Sequence, residues 1–585
     1  WNEINSILGN KKQNVIPCEM FSGKNKYSSR EQIVEEFNSY FASIGKKVSK
    51  SIPCLHKNYE KYLSSQHIAS MFLKPTTVYE LTKICASFNP SKASGCDDIS
   101  PRVVKEAIFC CVEPLCDIFN KSLTTGVFPD AYKIAKVVPL YKKNCKQNID
   151  NYRPVAILPI FSKLLERLMY NRLYSFLTKY EILINEQFGF RKGHSTAHGV
   201  LNMSDYVINA LDNGNFCLGL FMDLSKAFDT IDHDILLDKL FYYGIRGVAL
   251  NWFRSYLMGR KQYVVVDGVE SNFKELSCGV PQGSVLGPLL FLLYVNDVVN
   301  SSSVFRFSLF ADDTVVVISH KNAHRLIALV NEELSKLLLW FQSNKLLLNH
   351  EKTNYIIFRS KNKRVPGDIN DISVNNIVLK RVHSLSFLGV TIDEFLDWKT
   401  HIKNVTLKVS RSIGVLSKLK FTVPQNVLML LYNSIVLPHL SYCNIVWGNS
   451  YSSHLNKIKI LQKRAIRILT YSMYNSHTKL LFSRMKVLPV QELILLNTCI
   501  FMYHFHTGNL PHIFQNMFIS NSSVHSHNTR QTKLLHKPPV RTTHALKSFR
   551  NVGISKWNDL NEDIRSSSTL SRFKVLCKRE LFINL

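Results

Sequence analysis

The chain has 585 residues, 46% of them hydrophobic and 11% aromatic, enough apolar material for about two to four folded domains and too much for a largely disordered protein. Its 73 basic residues outnumber its 43 acidic ones, a net charge of +30 that no fold requires and that points to a polyanionic partner, most simply nucleic acid held through its phosphates. The 13 cysteines are scattered without a Cys-x-x-Cys pair, which argues for reduced thiols in an intracellular protein and against a zinc finger, while the longest apolar run, 285–295, is too short to span a bilayer.

No secretory signal opens the sequence and its first residue is Trp1, so it is expected to begin inside a longer reading frame. Residues 1–75 mix polar loops with one amphipathic stretch, 33–41, at helical spacing, and are expected to form a connecting region. A turn-rich loop at 94–101 leads into helical pattern as far as about Thr125. A short strand over 137–143 ends in Lys142 and Lys143. Asn151-Tyr152-Arg153-Pro154 follows, then helical periodicity over 160–184 and the basic segment Gln187–Gly193. Between 200 and 395, strands predicted at 217–223, 261–266, 304–310, 314–318, 354–359 and 385–392 alternate with helices at 231–243, 284–298 and 322–343. That mixture predicts an α+β fold whose sheet is covered by helices on one face. From 401 onward the pattern is mainly helical and basic.

Phe310-Ala311-Asp312-Asp313 sits between two of these strand runs. Adjacent acids at the tip of an apolar hairpin are expensive to place unless a divalent metal neutralises them. Asp223 ends another apolar run, and two carboxylate-tipped strands that met in space would hold two Mg²⁺ ions for nucleotidyl transfer. Capping the following turn fits Asp223 equally well. Asp229 and Asp232 are expected only to cap or solvate the helix at 231–243. Gly279–Ser284 could bring backbone close to a ligand, or be a plain turn with Ser284 as N-cap. Lys352, in Asn349–Thr353, could reach a phosphate or protonate leaving pyrophosphate, or be a surface lysine in a loop. Phe387-Leu388-Gly389 reads as a strand end. A downstream helix carries an apolar stripe at Leu455, Ile458, Leu461, Ala465 and Ile468/Leu469, with Lys457, Lys463, Arg464 and Arg467 largely away from it. Either a phosphate-tracking face or a solvated one fits those cations.

The order of these pieces carries more than any one of them. Phe-x-Asp…Ala-Phe-Asp, Gly-Val-Pro-Gln-Gly-Ser, Phe-Ala-Asp-Asp, Asn-x-x-Lys-Thr and Phe-Leu-Gly resemble the ordered motifs of a reverse transcriptase. Asn151–Pro154 and Gln187–Arg191 are similar to finger motifs of non-long-terminal-repeat retrotransposon enzymes. The phrases at 223–240, 279–294 and 437–448 resemble the jockey-like group, and the resemblance spans about residues 30–580.

The resemblance implies a right-hand polymerase with an antiparallel palm sheet and a mainly helical C-terminal region. Its expected divisions are an N-terminal extension over 1–75, fingers over 76–200, palm over 201–400, thumb over 401–480 and a helical region of unknown role over 481–585; the reverse transcriptase domain spans about 130–395. It implies RNA-directed DNA polymerase activity with dNTPs, an RNA template and a DNA primer, the primer being nicked target DNA. Asp223 and Asp312 would be the principal ligands of two Mg²⁺ ions, with Mn²⁺ as an alternative metal, and Asp313 a further ligand of the same catalytic set. Phe228 resembles the steric gate against ribose. Gln282 and Gly283 match the loop lining nucleotide and template, Lys352 the pyrophosphate-side lysine, and Phe387, Leu388 and Gly389 the primer grip. Arg191 is expected near the triphosphate or template, and Lys463, Arg464 and Arg467 along the primer–template. A cytoplasmic ribonucleoprotein and the nucleus are the implied locations, with no membrane; nothing sets an oligomeric state.

Against the family pattern, residues 1–75 are expected to be too short to hold an endonuclease, and no ribonuclease H pattern after 400 and no Cys/His knuckle is read in the sequence, so nucleic-acid binding is expected to rest on basic surfaces. The alternatives are an RNA-templated RNA polymerase, disfavoured by Phe228 and by Ala311 before Asp312, and an inactive nucleic-acid-binding relic, disfavoured by the intact acids. Asn528–Gln531 and Lys556–Asn558 resemble the tail of related elements.

Overall fold

A computed structural model describes residues 16–50, 52, 58–374, 376–524 and 534–583; Asn528–Gln531 lies outside them. The central sheet has five strands in the order Lys380–Arg381, Asn354–Phe358, Phe216–Met222, Asp313–His320, Arg306–Phe310. Neighbours run antiparallel except at the edge, where Asn354–Phe358 and Lys380–Arg381 are parallel. The sheet is therefore mixed and not wholly antiparallel, because its last strand returns by way of the hairpin at 373–378.

Helices cover both faces of this sheet, not one as expected. Every residue of Phe216–Met222 is buried, the signature of a strand enclosed on two sides. Its side chains alternate between two cores. Leu218, Leu220 and Met222 join a core with Leu326, Val330 and Leu334 of the helix Ala323–Ser343. Cys217 and Phe221 join another with Val200 and Val207 of the helix Thr196–Asp212.

Upstream, Ile134–Tyr141 pairs antiparallel with Tyr152–Ile157 and parallel with Arg260–Val266. The helix Arg30–Lys50 lies on this second sheet. It buries Ile33, Val34, Phe37 and Phe41 beside Val137, Tyr152 and Val264, and the Phe37 and Tyr152 rings meet edge-on at 5.2 Å. Gln262 Nε2 donates to Asn38 Oδ1 at 3.0 Å. The stretch expected to connect domains is thus packed cover for a sheet. The helix Pro101–Thr125 begins after Ser100, whose hydroxyl accepts from Val103 N–H, and ends at Gly126 with φ 73°, the start and stop that these residues favour.

The predicted strand 385–392 is a hairpin, Ser384–Phe387 against Val390–Asp393. Leu388 (φ 45°) and Gly389 (φ 76°) form its two-residue turn, where the twist of a tight hairpin demands positive φ. Beyond it, the helices Lys399–Leu419 and Ser452–Leu469 pack together. The apolar stripe of the latter includes buried Gln462 in place of half-buried Leu461; the amide bonds to Tyr432 Oη, Leu488 O and Val490 N. Val490–His506 packs with Phe549–Asp559 and Leu570–Ile583. This last region docks on the helix Thr196–Asp212 that covers the sheet, where Arg550 pairs with Asp205 at 2.7 Å and Asp212 accepts from the backbone of Arg541 and Thr542. Among the described residues no helix is long and apolar enough to cross a membrane.

Candidate active site

The register of the two central strands sets the site. Thr314 lies opposite Met222, so the next residues along each strand, Asp313 and Asp223, leave the sheet side by side. Asp313 also pairs with Phe310, which makes Ala311-Asp312 the turn of the hairpin. Ala311 takes φ 56° there. Its N–H donates to Gln187 Oε1 at 3.0 Å, and Gly189 N–H donates to the same oxygen at 2.8 Å. Phe188 N–H donates to Leu309 O, and Leu309 N–H donates to Glu186 O. A Cβ on Gly189 would stand 2.4 Å from Ala311 N, so glycine is required for the approach. Gln187 and Gly189 are thus braces of the acidic turn. The sequence placed them in a basic motif but gave no sign of this contact.

Burial raises the pKa of Asp312, and the charge of Asp223 raises it further. Asp313 is pushed up to about 6, by burial first and then by the charges of Asp312 and Asp223. Three carboxylates that feel each other in this way form a site short of positive charge. Lys352 supplies part of it: its Nζ lies 2.9 Å from Asp223 Oδ2. Asn349 delivers this lysine, since its N–H donates to Asp223 O and its side chain accepts from Lys352 N–H. Lys142 faces Asp312 and Asp313, lowering both, although the sequence marked it only as a strand end. Among the described residues, no three His, Cys, Asp or Glu side chains are already drawn into a metal cage. The carboxylate of Asp223 is turned to the ammonium instead. The donor set itself, hard oxygen ligands with a cation standing in at one of them, fits a divalent metal such as Mg²⁺.

Phe228 lies five residues after Asp223 in the chain, its ring stacked on Phe291 at 4.5 Å and edge-on to Phe190 at 6.4 Å. Its carbonyl accepts from Val280 N–H, which ties it to the Gly279–Ser284 loop. In that loop Gly283 has φ 136°, and a Cβ there would stand 2.2 Å from Ala156 O. Ala156 N–H in turn donates to Gln282 O at 2.8 Å. Ser284 Oγ accepts from Gly287 N–H at 3.0 Å, but the helix runs Gly287–Tyr294 with Leu286 at its N-cap, so Ser284 sits in the turn before it and is not the N-cap expected.

Asp232 caps the helix His233–Tyr242 as expected, accepting from Asp234 and Ile235 N–H. Asp229 does not. Its Oδ1 accepts from Gln282 Nε2 at 2.8 Å, its Oδ2 is buried without a partner, and burial raises its pKa to about 6. The expectation of a helix-end or solvated residue fails because the chain turns Asp229 inward, under the Gly279–Gln282 loop.

The other expected residues lie at different distances from the acids. Arg191 donates to the carbonyls of Ile184 and Gln187, bracing the segment that holds Ala311. Phe387 is buried edge-on to Phe221 at 5.7 Å, two residues before Asp223. The turn at Leu388 and Gly389 rests on Tyr442, whose hydroxyl donates to Leu388 O at 2.6 Å. Lys463 and Arg464 are exposed, while Arg467 is half-buried and donates to Ser476 O at 2.9 Å. Among the described residues no hydrogen bond or ion pair joins these three to the acidic cluster.

Residues 141–392 match the family described as reverse transcriptase (RNA-dependent DNA polymerase). The chain is 30% identical over 441 residues to the RNA-directed DNA polymerase from mobile element jockey of Drosophila melanogaster, covering 73% of this chain and 47% of that relative. It is 29% identical over 442 residues to the probable RNA-directed DNA polymerase from transposon BS of the same organism, covering 73% and 48%. To the retrovirus-related Pol polyprotein from type-1 retrotransposable element R1 of Bradysia coprophila it is 26% identical over 407 residues, covering 68% and 39%. The chain spans about half the length, or less, of these curated relatives. The acid-tipped central sheet and these similarities agree: residues 141–392 are a reverse transcriptase domain, and the chain is similar to jockey-like reverse transcriptases of non-long-terminal-repeat retrotransposons.

Proposed function

We propose that the chain copies RNA into DNA, extending the 3′ end of a DNA primer with dNTPs on an RNA template. The observation that carries the reading is the strand register that sets Asp223 beside the Asp312–Asp313 turn. In this reading 76–200 act as fingers, with the helix Arg30–Lys50 as their cover, 201–400 as palm and 401–480 as thumb, with 481–585 as a helical buttress. The primer is nicked target DNA, the template is element RNA, and the work is done in a ribonucleoprotein that reaches the nucleus from the cytoplasm.

Asp223 and Asp312 would hold two Mg²⁺ ions, with Asp313 contributing, and the metal pair supplies activation of the attacking hydroxyl and charge neutralisation at the leaving pyrophosphate. The protein's own groups do the rest. Lys352 holds Asp223 in place before substrate arrives, and its ammonium can then turn to a phosphate or yield a proton to pyrophosphate. Lys142, and Lys226, which is partly desolvated beside Asp229, offer further positive charge to a triphosphate. Phe228, wedged between Phe291 and Phe190, is too rigid to yield to a ribose 2′-hydroxyl. Gly283 and Gln282 shape the wall facing the nascent pair. The Phe387–Gly389 turn, braced on Tyr442, steadies the primer end, and Lys463, Arg464 and Arg467 follow the primer–template.

Primer extension tests the reading. Asp312→Asn is expected to abolish metal-dependent dNTP addition on an RNA template and leave RNA affinity within about two-fold, since one carboxylate in a basic chain contributes little to phosphate binding. Extension persisting in that variant would refute the role of the acids.

A further inference from the structure

Between Lys399 and Gln491 the chain carries 14 Lys or Arg residues and no Asp or Glu. Two of the helices in this stretch, Lys399–Leu419 and Ser452–Leu469, end side by side. At that end Phe421 and Tyr471 stand with ring centroids 6.3 Å apart, and Lys420 Nζ lies 5.1 Å from one centroid and 5.9 Å from the other. Phe421 is 86% exposed, and Met473 and Tyr474, in the same short loop as Tyr471, are 77% and 86% exposed.

These rings are presented by stapled backbone. Tyr471 holds φ 53°, Ser472 N–H donates to Arg467 O, and Arg467 Nε donates to Ser476 O at 2.9 Å. Gln425 Nε2 donates to Leu469 O at 2.8 Å, and Tyr471 Oη donates to Val423 O at 3.3 Å. A protein seldom holds several large apolar side chains rigidly in water without an occupant for them. Cations beside aromatic faces, in a field with no negative side chain along 93 residues of sequence, suit bases stacked on rings with phosphates on lysines.

We propose that Phe421, Tyr471 and Tyr474 form a stacking platform for unpaired RNA, with Lys420 and exposed Lys418 taking its phosphates. It rests on the RNA-copying reading only for the source of the RNA. Two helix C-termini meet there, and their partial negative charge disfavours a phosphate laid directly on the backbone, so the bases, not the phosphodiesters, take the central position. That is a site for a single strand. In a paired duplex the base faces are already stacked on one another.

The test uses the full chain and a fluorescent uridine oligomer, read by anisotropy at low salt and at about 0.5 M salt, where phosphate attraction is screened. The double variant Phe421→Leu, Tyr474→Leu keeps apolar bulk but loses the rings. It is expected to lose single-strand affinity about 10- to 100-fold, most visibly at high salt, with duplex RNA affinity and single-nucleotide extension on a short primer–template within about two-fold of wild type. Phe421→Trp is expected to bind the oligomer at least as well as wild type. Leucines that bind as tightly as the rings would overturn the proposal and mark the patch as an apolar protein dock; equal losses for single and double strands would overturn it as well. A wild-type chain that failed to extend any primer would count against the polymerase reading alone, because the oligomer measurement needs no catalysis.

Discussion

Asp229→Asn separates what a buried carboxylate does to stability from what it does for the site. Its pKa rises from 3.8 to about 6 in the folded chain, chiefly through burial, against the lowering effect of Gln282 and Lys226. An acid with a raised folded pKa binds its proton more tightly when folded, so stability falls as pH rises from 3.8 toward 6 and is flat above. At pH 7 the ionised carboxylate costs about 3 kcal/mol, shrinking to about 1.6 kcal/mol at pH 5. Asparagine keeps an oxygen for Gln282 Nε2 and carries no charge. It is therefore expected to stabilise the fold by up to about 3 kcal/mol at pH 7, a rise of a few degrees in Tm, and by about half that at pH 5. The same change weakens the charge-assisted hold on Gln282, worth about 1.5–3 kcal/mol, and is expected to raise KM for dNTP about ten-fold. Scanning fluorimetry at the two pH values and steady-state extension read both effects. A lower Tm, or a gain that does not depend on pH, would refute the buried-carboxylate reasoning, and an unchanged KM would refute the positioning of Gln282.

Phe228→Val is expected to raise rNTP incorporation relative to dNTP by at least about ten-fold while lowering stability by about 1–2 kcal/mol through the space left against Phe291; an unchanged sugar preference in competition assays would remove Phe228 from the gate. Gly189→Ala drives a methyl against Ala311 N, 2.4 Å away, and is expected to cut extension by about 10²-fold with RNA binding retained. Normal turnover in that variant would mean that the acidic turn does not depend on its brace. Lys352→Met breaks a half-exposed ion pair with Asp223, so stability is expected to change by no more than about 1 kcal/mol, whereas single-turnover addition slows about 10²-fold. A large Tm loss with normal chemistry would make Lys352 a structural residue.

Local pattern revealed much of this molecule. The strands bearing Asp223, Asp312 and Asp313 were legible because an acid at the end of an apolar run conflicts with burial and has few explanations. The two faces of the sheet were legible in principle, since no residue of Phe216–Met222 is polar, but alternation on a mixed strand suggests one face unless that run is weighed. What stayed hidden depends on contacts distant in sequence. Nothing near Gln187 signals that its side chain will hold Ala311, 124 residues later. Nothing near Asp229 distinguishes it from Asp232, although one is buried under Gln282 and the other caps a helix. The helix Arg30–Lys50 showed its apolar stripe but not its partner, because the Val264 strand it covers closes only through the fold.

The central claim is that Asp223, Asp312 and Asp313 share one metal site. Anomalous scattering from crystals grown with Mn²⁺ tests it most directly. Mn²⁺ density is expected at the Asp223 and Asp312 carboxylates, with Lys352 displaced from Asp223, and is expected to be lost in Asp223→Asn. Density bound elsewhere, or none while Lys352 keeps its grip on Asp223, would contradict it.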